Sequence, residues 1–192
     1  MQIQIHAAQP EHAVYAQAIC DLMAESAKAR GTGIATRKQD YVAAKINEGK
    51  AIVALVDGKL AGFSYIETWE HGKYVANSGL IVNPEFRRLG LARKIKSAIF
   101  HLSRTLYPDA KIFGITTSLP VMKINSDLGY KPVTFSELTQ DDAFWAGCNS
   151  CPNVDILERN NRMMCLCTAM MAPSGNEAKR MAFDLSEMIV EG

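Results

Sequence analysis

The sequence predicts an α/β (α+β) domain built on a mixed, mostly antiparallel sheet of six or seven strands with helices on both faces. Three observations carry this. β-prone runs cluster in the middle of the chain around an Asp-Gly hairpin signal, helical periodicities lie on either side of them, and the order strand, two helices, three strands, helix, strand, helix, strand suits a sheet covered on both faces. At 192 residues, 48% apolar and 21% charged, the chain is long enough for one domain with a full core. A single domain is expected over residues 1–172, with a Cys-rich part at about 140–168 and a C-terminal amphipathic helix over 173–192.

A short alternating stretch, Ile3 to His6, reads as the first strand. A long helical pattern follows, with Val14, Ala18 and Leu22 at four-residue spacing beside Tyr15, Ile19 and Met23; Gly31 and Gly33 close it. Thr36 and Gln39 have the form of a capping box for a second helix running to about Glu48. Ala51 to Val56 and Leu60 to Trp69 are strands joined by Asp57-Gly58, which tolerates the positive φ angles of a tight hairpin. The turn Glu70-His71-Gly72 leads into a third strand, Lys73 to Val82, which Asn83-Pro84 stops because proline lacks the N–H for ladder pairing. Leu91, Ile95, Ala98, Ile99, Leu102 and Leu106 then form the apolar face of a helix, with Arg93, Lys94, Lys96 and Arg104 largely off that face and Pro108 ending it. Lys111 to Thr117 is a strand, Val121 to Leu128 a short helix closed by Gly129, and Lys131 to Glu137 a further strand. Beyond Thr139 the pattern gives a helix around Asp141 to Ala146, an irregular Cys-rich turn and a closing strand within Met163 to Met171. Ser174 and Glu177 form a second capping box ahead of a stripe of Ala178, Met181, Ala182, Leu185, Met188 and Ile189, which docks on its own domain or forms a homodimer contact.

A formal charge of +1 gives no global field toward nucleic acid or an anionic membrane. No apolar run reaches the length of a spanning helix, and Met1 to His6 lacks the form of a signal peptide, so a cytoplasmic protein is expected. Five cysteines, an odd and modest count, do not read as a disulfide framework.

Chemistry concentrates in Leu80-Ile81-Val82-Asn83-Pro84-Glu85-Phe86-Arg87-Arg88-Leu89-Gly90-Leu91-Ala92, a strand, a polar turn and a helix start. A helix start offers unpaired N–H groups and the positive end of a dipole to an anion. Gly90 and Ala92 add little bulk there, and Arg87 and Arg88 add charge and directional donors, which suits a diphosphate. Neither a P-loop nor a Rossmann glycine pattern occurs in the chain. Arg87-x-x-Gly90-x-Ala92 after this strand resembles the acyl-CoA signature Q/R-x-x-G-x-G/A of the GNAT N-acetyltransferase superfamily, and Leu128-Gly129-Tyr130 matches that family's closing L-G-F/Y in the expected order. The resemblance spans roughly residues 1 to 137 and identifies a small stand-alone bacterial member.

The resemblance implies the GNAT fold and transfer of acetyl from acetyl-CoA to a primary amine. Leu80, Ile81 and Val82 would pair with the pantetheine arm as an added strand, and Arg87, Arg88, Leu89, Gly90, Leu91 and Ala92 would take the pyrophosphate. Ser118 stands where the family often has an asparagine near the pantetheine. Asn125 stands where many members have a tyrosine as proton donor; it can hydrogen-bond the sulfur but has no titratable proton to give. The third strand carries no carboxylate, Ala76 occupying the position of the base of some members, so Glu67, Glu70 and His71 are the candidates, histidine being the residue that titrates near neutrality. With the usual acid and base absent, a non-catalytic acyl-CoA sensor and a protein N-acetyltransferase stand as alternatives to a small-molecule enzyme.

Cys148-x-x-Cys151 and Cys165-x-Cys167 form two close pairs. Burial as small hydrophobes, a four-thiolate zinc site, and a redox pair at Cys148 and Cys151 all fit that spacing. The surrounding run, Phe144 to Asn153 and Asn161 to Thr168, looks like the tail of small bacterial acetyltransferases, some similar to proteins of arginine biosynthesis. A glutamate-like acceptor would follow, its carboxylates held by cations among which Arg37, Lys38, Arg159 and Arg162 are candidates.

Overall fold

The computed structural model describes residues 1–30 and 37–181. Its strands are β1 (Ile3–Ala7), β2 (Ala51–Val56), β3 (Lys59–Trp69), β4 (Tyr74–Val82), β5 (Lys111–Thr116), β6 (Lys131–Val133) and β7 (Thr168–Ala172). They form one seven-stranded sheet in the order β1-β2-β3-β4-β5-β7-β6. Every neighbouring pair is antiparallel except β4 and β5, which run parallel. The mixed, mostly antiparallel sheet read from the sequence is therefore present, with helices on both faces. The β2–β3 turn takes the expected conformation, φ 48° at Asp57 and 76° at Gly58.

α1 (Ala16–Arg30) and α2 (Gln39–Asn47) lie on one face, where Ile19, Met23, Val42 and Ile46 pack on Val53, Phe63 and Tyr65. α3 (Leu91–Leu106) and α4 (Leu119–Asp127) lie on the other, where Leu91, Ile95 and Ile99 pack on Ile52, Ile66, Val75 and Ile112. Burial of each such side chain stabilises the fold by roughly 1.5–3 kcal/mol. α5 (Asp142–Ala146) and α6 (Val154–Arg159) complete a third cluster, in which Trp145 and Leu157 close over Tyr74, Ala76 and Phe113.

Several expectations are corrected. Pro10–Tyr15 is a 3-10 turn, whose tighter pitch takes Val14 off the buried row; Val14 is 79% exposed, and Ala16, Ile19 and Met23 do the packing. Lys96 lies inside the α3 interface, contrary to the helical-face reading. β6 stops at Val133 because Thr134 caps a 3-10 turn over Phe135–Glu137, its N–H donating to Glu137 Oε2 at 2.8 Å. The closing strand begins only at Thr168; α6 and the positive φ angles of Asn161 and Arg162 precede it.

The Ser174–Glu177 capping box forms, with Ser174 N–H donating to Glu177 Oε2 at 2.8 Å and Glu177 N–H to Ser174 Oγ at 3.2 Å, and residues 175–181 are helical. Gly31, Gly33, Thr36, Ala182, Leu185, Met188 and Ile189 lie outside the described residues. Among the described residues no helix is long and apolar enough to cross a membrane.

Candidate active site

β4 and β5 pair at only three positions, Tyr74 with Lys111, Val75 with Ile112 and Ala76 with Phe113. Past Ala76 the strands part, β5 continuing along β7 to Thr116 while β4 continues along β3 to Val82. A bulge widens the separation. Phe63 faces Ile81 and Tyr65 faces Ser78, so a single β3 residue is opposed by two β4 residues, Gly79 and Leu80. Gly79 adopts φ 63°, and a Cβ there would sit 2.4 Å from the Tyr65 ring, so conformation and space both demand glycine. A cavity of about 600 Å³ runs through the gap and joins the two faces of the sheet, a size typical of small-ligand sites.

On the α3 face, Asn83 ends β4 by accepting from Glu85 N–H at 3.1 Å and donating to Leu60 C=O at 3.1 Å. The chain then turns through Arg88 at φ 66° to Gly90, the N-cap of α3 at φ 71°. Lys94 N–H is the first amide of α3 to reach back, to Gly90 C=O at 3.2 Å, so the amides of Leu91, Ala92 and Arg93 form the open start of the helix. Around Gly90 there is open space, and Arg87 and Arg88 are exposed beside it. Glycine is needed here for its backbone angle, and the space is suited to an anion. Leu80 lines the cavity; Ile81 and Val82 bond to β3, leaving the other edge of this part of β4 facing the gap. Asn125, 1% exposed on α4, also lines the cavity. Its Nδ2 reaches Met170 Sδ at 3.7 Å, and its Oδ1 is buried with no partner among the described residues, a condition worth about 1–3 kcal/mol of penalty that a ligand donor would relieve. Ser118 is the N-cap of α4 beside Thr116 and Thr117 of the cavity wall.

On the opposite face, Glu67 is 6% exposed at the end of β3. Its Oε1 accepts from Arg37 Nη2 at 3.1 Å and from Tyr41 Oη, and its Oε2 accepts from Ser78 Oγ. Arg37 Nε also donates to Tyr65 Oη at 2.8 Å. Burial, then the Glu67 charge, raises both tyrosines well above the usual phenol range, so both remain hydrogen-bond donors. Trp69 lines the same wall with its indole N–H buried and, among the described residues, unpartnered, and Lys38 stands at the rim. The arrangement can accept a proton at Glu67 and hold an anionic group with Arg37, Lys38 and the Trp69 N–H.

Of the residues singled out from sequence, Glu67, Leu80 and Asn125 reach this cavity, whereas Ile81, Val82, Ser118 and Arg87–Ala92 are not among the residues lining it, the last forming the turn and head of α3. His71 does not come to it; it sits exposed at φ 55° in the 3-10 turn Glu70–Gly72, while Glu70 accepts from Thr139 Oγ1 and Gln140 N–H. Arg37 and Lys38 reach the cavity, whereas Arg159 is exposed elsewhere and Arg162 pairs with Asp142. Tyr41, Tyr65, Trp69, Ser78 and Gly79 escaped the sequence reading; a glycine inside a strand run was the one available signal.

Zinc at Cys148, Cys151, Cys165 and Cys167 is not supported. Among the described residues no group of three or more His, Cys, Asp or Glu side chains could hold a metal ion. The thiols form part of the cavity wall, with Cys148, Cys165 and Cys167 packed on the third cluster. Burial pushes Cys148 up to about 11 and Cys167 up to about 12, which favours the neutral thiol over the thiolate a metal requires.

The sequence profile of the acetyltransferase (GNAT) family matches residues 16–113. No curated protein sequence matches the chain. Among solved structures, N-acetylglutamate synthase from Neisseria gonorrhoeae, complexed with coenzyme A and N-acetyl-glutamate, is similar with TM-score 0.64 and 16% identity, over 90% of this chain and 35% of that one. The chain thus spans about a third of the synthase's length. Rv2747 from Mycobacterium tuberculosis, in complex with CoA, gives TM-score 0.61 at 14% identity over 88% of this chain and 98% of its own. A phosphinothricin acetyltransferase from Sinorhizobium meliloti, in complex with AcCoA, gives 0.60 at 15% identity over 91% and 90%. At these identities the likeness is one of fold.

Proposed function

The chain belongs to the acetyltransferase (GNAT) family and is an acyltransferase, and from that premise we propose that it moves the acetyl group of acetyl-CoA onto the primary amine of a small, carboxylate-bearing molecule, an amino acid of the glutamate type. The observation that carries this reading is the cavity through the β4–β5 gap, with an anion cradle on one face and a carboxylate beside cations on the other.

The pyrophosphate sits on the amides of Leu91 and Ala92 beside Arg87 and Arg88. The pantetheine arm lies along the free edge of β4 past Ala76 as an added strand, which brings the thioester between the two faces. The acceptor enters from the α2 face. Its carboxylates engage Arg37, Lys38 and the Trp69 N–H, and Glu67 takes the ammonium proton directly or through the Ser78 hydroxyl. The freed amine then attacks the carbonyl carbon, and much of the acceleration comes from holding the two reactants in line. The Asn125 amide contacts the departing sulfur. The likeness in fold to a synthase complexed with N-acetyl-glutamate supports the acceptor class.

The test is calorimetric titration with acetyl-CoA beside desulfo-CoA and a nucleoside triphosphate, followed by free-thiol release with a panel of amino acids. We expect saturable one-site binding unmatched by the triphosphate, and fastest release with a dicarboxylic amino acid. Binding without release for any amine would indicate a sensor, and release only with peptides a protein acetyltransferase. Absence of acetyl-CoA binding would remove the reading.

A further inference from the structure

We propose that Lys96 protonates the thiolate that leaves when acetyl is transferred, an inference that rests on the transferase reading above. Lys96 is 3% exposed, held inside the packing of α3 against the sheet. Its Nζ lies 3.4 Å from Asn77 Oδ1 and 4.9 Å from the centre of the Tyr130 ring. Asn77 is the first β4 residue beyond the three that pair with β5, so this ammonium group stands where the gap opens. Asn77 is itself engaged at both ends: its Oδ1 also accepts from Tyr130 Oη at 2.9 Å, and its Nδ2 donates to Ser103 Oγ at 2.7 Å. Among the described residues Asn77 Oδ1 is the only hydrogen-bond acceptor for Lys96, although an ammonium carries three N–H groups. A buried ammonium with one partner and no counter-charge is costly, and is unusual outside a functional site.

Its position suits the role. Lys96 lines the cavity together with Asn125, on the face of the sheet from which the donor enters. The other titratable groups of the cavity are Arg37, Lys38, Tyr41, Tyr65, Glu67 and the four thiols; Tyr41 and Tyr65, with Glu67 and Arg37 bonded to them, belong to the α2 face, and Cys148, Cys165 and Cys167 to the third cluster. Asn125 can hydrogen-bond a sulfur but has no titratable proton to give it. Lys96 does. In the step, the N–C bond forms, the C–S bond breaks, and the sulfur leaves with the electron pair and takes a proton from the Lys96 ammonium. The proton displaced from the nucleophile passes by Glu67 to solvent, and neutral Lys96 regains one from solvent, so the cycle closes with a free thiol and an amide. Burial lowers the Lys96 pKa to about 7, with no charged neighbour adding to the shift. Tyr130 is the titratable group packed against it, and burial keeps that phenol protonated. A donor in that range is close to a free thiol, about 8.5, so the transfer is nearly balanced.

The experiment compares wild type, Lys96→Met and Lys96→Arg by acetyl-CoA calorimetry, by the pH profile of kcat, and by absorbance titration of the thiolate of bound CoA. We expect Lys96→Met to bind acetyl-CoA within about threefold of wild type, to lose at least tenfold in kcat, and to lose the falling limb that begins near pH 7 as the donor deprotonates. Its bound CoA thiol should ionise at a pH at least about one unit higher than in wild type. Lys96→Arg keeps the charge but cannot release a proton, so its kcat should stay low. Wild-type kcat, pH profile and thiol ionisation in Lys96→Met would overturn the proposal, as would full recovery in Lys96→Arg. Should Lys96→Met fail to bind CoA while wild type binds, Lys96→Gln, which retains a bond to Asn77, is judged by the same criteria. If wild type does not bind acetyl-CoA, or binds it without turnover for any amine, the transferase reading falls and this inference with it, whereas turnover in wild type with unchanged kcat, pH profile and thiol ionisation in Lys96→Met overturns this inference alone.

Discussion

On the α3 face of the gap the candidate donor site is made mostly of backbone: the open amides at the head of α3, the N-cap at Gly90 and the free edge of β4. The candidate acceptor site on the α2 face is made of side chains drawn from distant parts of the chain, with Arg37 and Tyr41 around α2, Glu67 on β3, Ser78 on β4 and Phe144 on α5. A backbone site needs only a short local string with glycine in the right place, so it tolerates variation in everything that surrounds it. A side-chain site can be changed one residue at a time without disturbing the sheet that carries it. On the reading proposed above, the same sheet would join a general donor cradle to a specific acceptor wall.

The largest effect should come from breaking the backbone side. Gly90→Glu forces a non-glycine residue into φ 71° and puts a negative charge where the pyrophosphate would lie. Calorimetry should show acetyl-CoA affinity reduced by about a hundredfold or more, equivalent to about 3 kcal/mol. Next is the side-chain face. Glu67→Gln should lower kcat by roughly 10²-fold and leave acetyl-CoA affinity near wild type. An equal loss of donor affinity would show that the two faces are not separable. Arg37→Met should raise KM for a dicarboxylic acceptor by about tenfold, with a smaller effect on an acceptor lacking the second carboxylate. Equal effects on both would assign Arg37 to holding Tyr65 and Glu67 in place, since it donates to each.

A separate effect concerns stability. Lys96 titrates near 7 in the folded protein against 10.5 when unfolded, so between these values the unfolded chain binds the extra proton. The burden of the buried lysine is therefore greatest below pH 7 and is relieved as pH rises toward 10.5. The denaturant midpoint of wild type should gain on that of Lys96→Met between pH values of about 6.5 and 9.5. A constant difference across that range would mean that Lys96 is charged throughout.

Local chemistry was readable ahead of the fold. Asp57-Gly58 announced its hairpin, Ser174 and Glu177 their reciprocal cap, and Arg87-x-x-Gly90-x-Ala92 the turn into α3, because each is a contact between residues a few positions apart. Helix periodicity failed at Val14 and Lys96 for a common reason. Periodicity places a residue on a face but does not know whether a 3-10 turn has shifted the rows or whether the partner surface offers an acceptor such as Asn77 Oδ1.

The length, the apolar content and the order of patterns were sufficient for a single mixed sheet, and the Arg87–Ala92 string for the glycine-capped turn after its fourth strand, since propensity, capping and turn chemistry act over a few residues. Separation of β4 from β5, the bulge at Gly79, the joining of Arg37 to Glu67 across 30 positions, and the burial of Lys96 beside Asn77 arose only when the strands took their neighbours. Those features depend on register and on packing between segments far apart in the chain, and no local pattern encodes which segments meet.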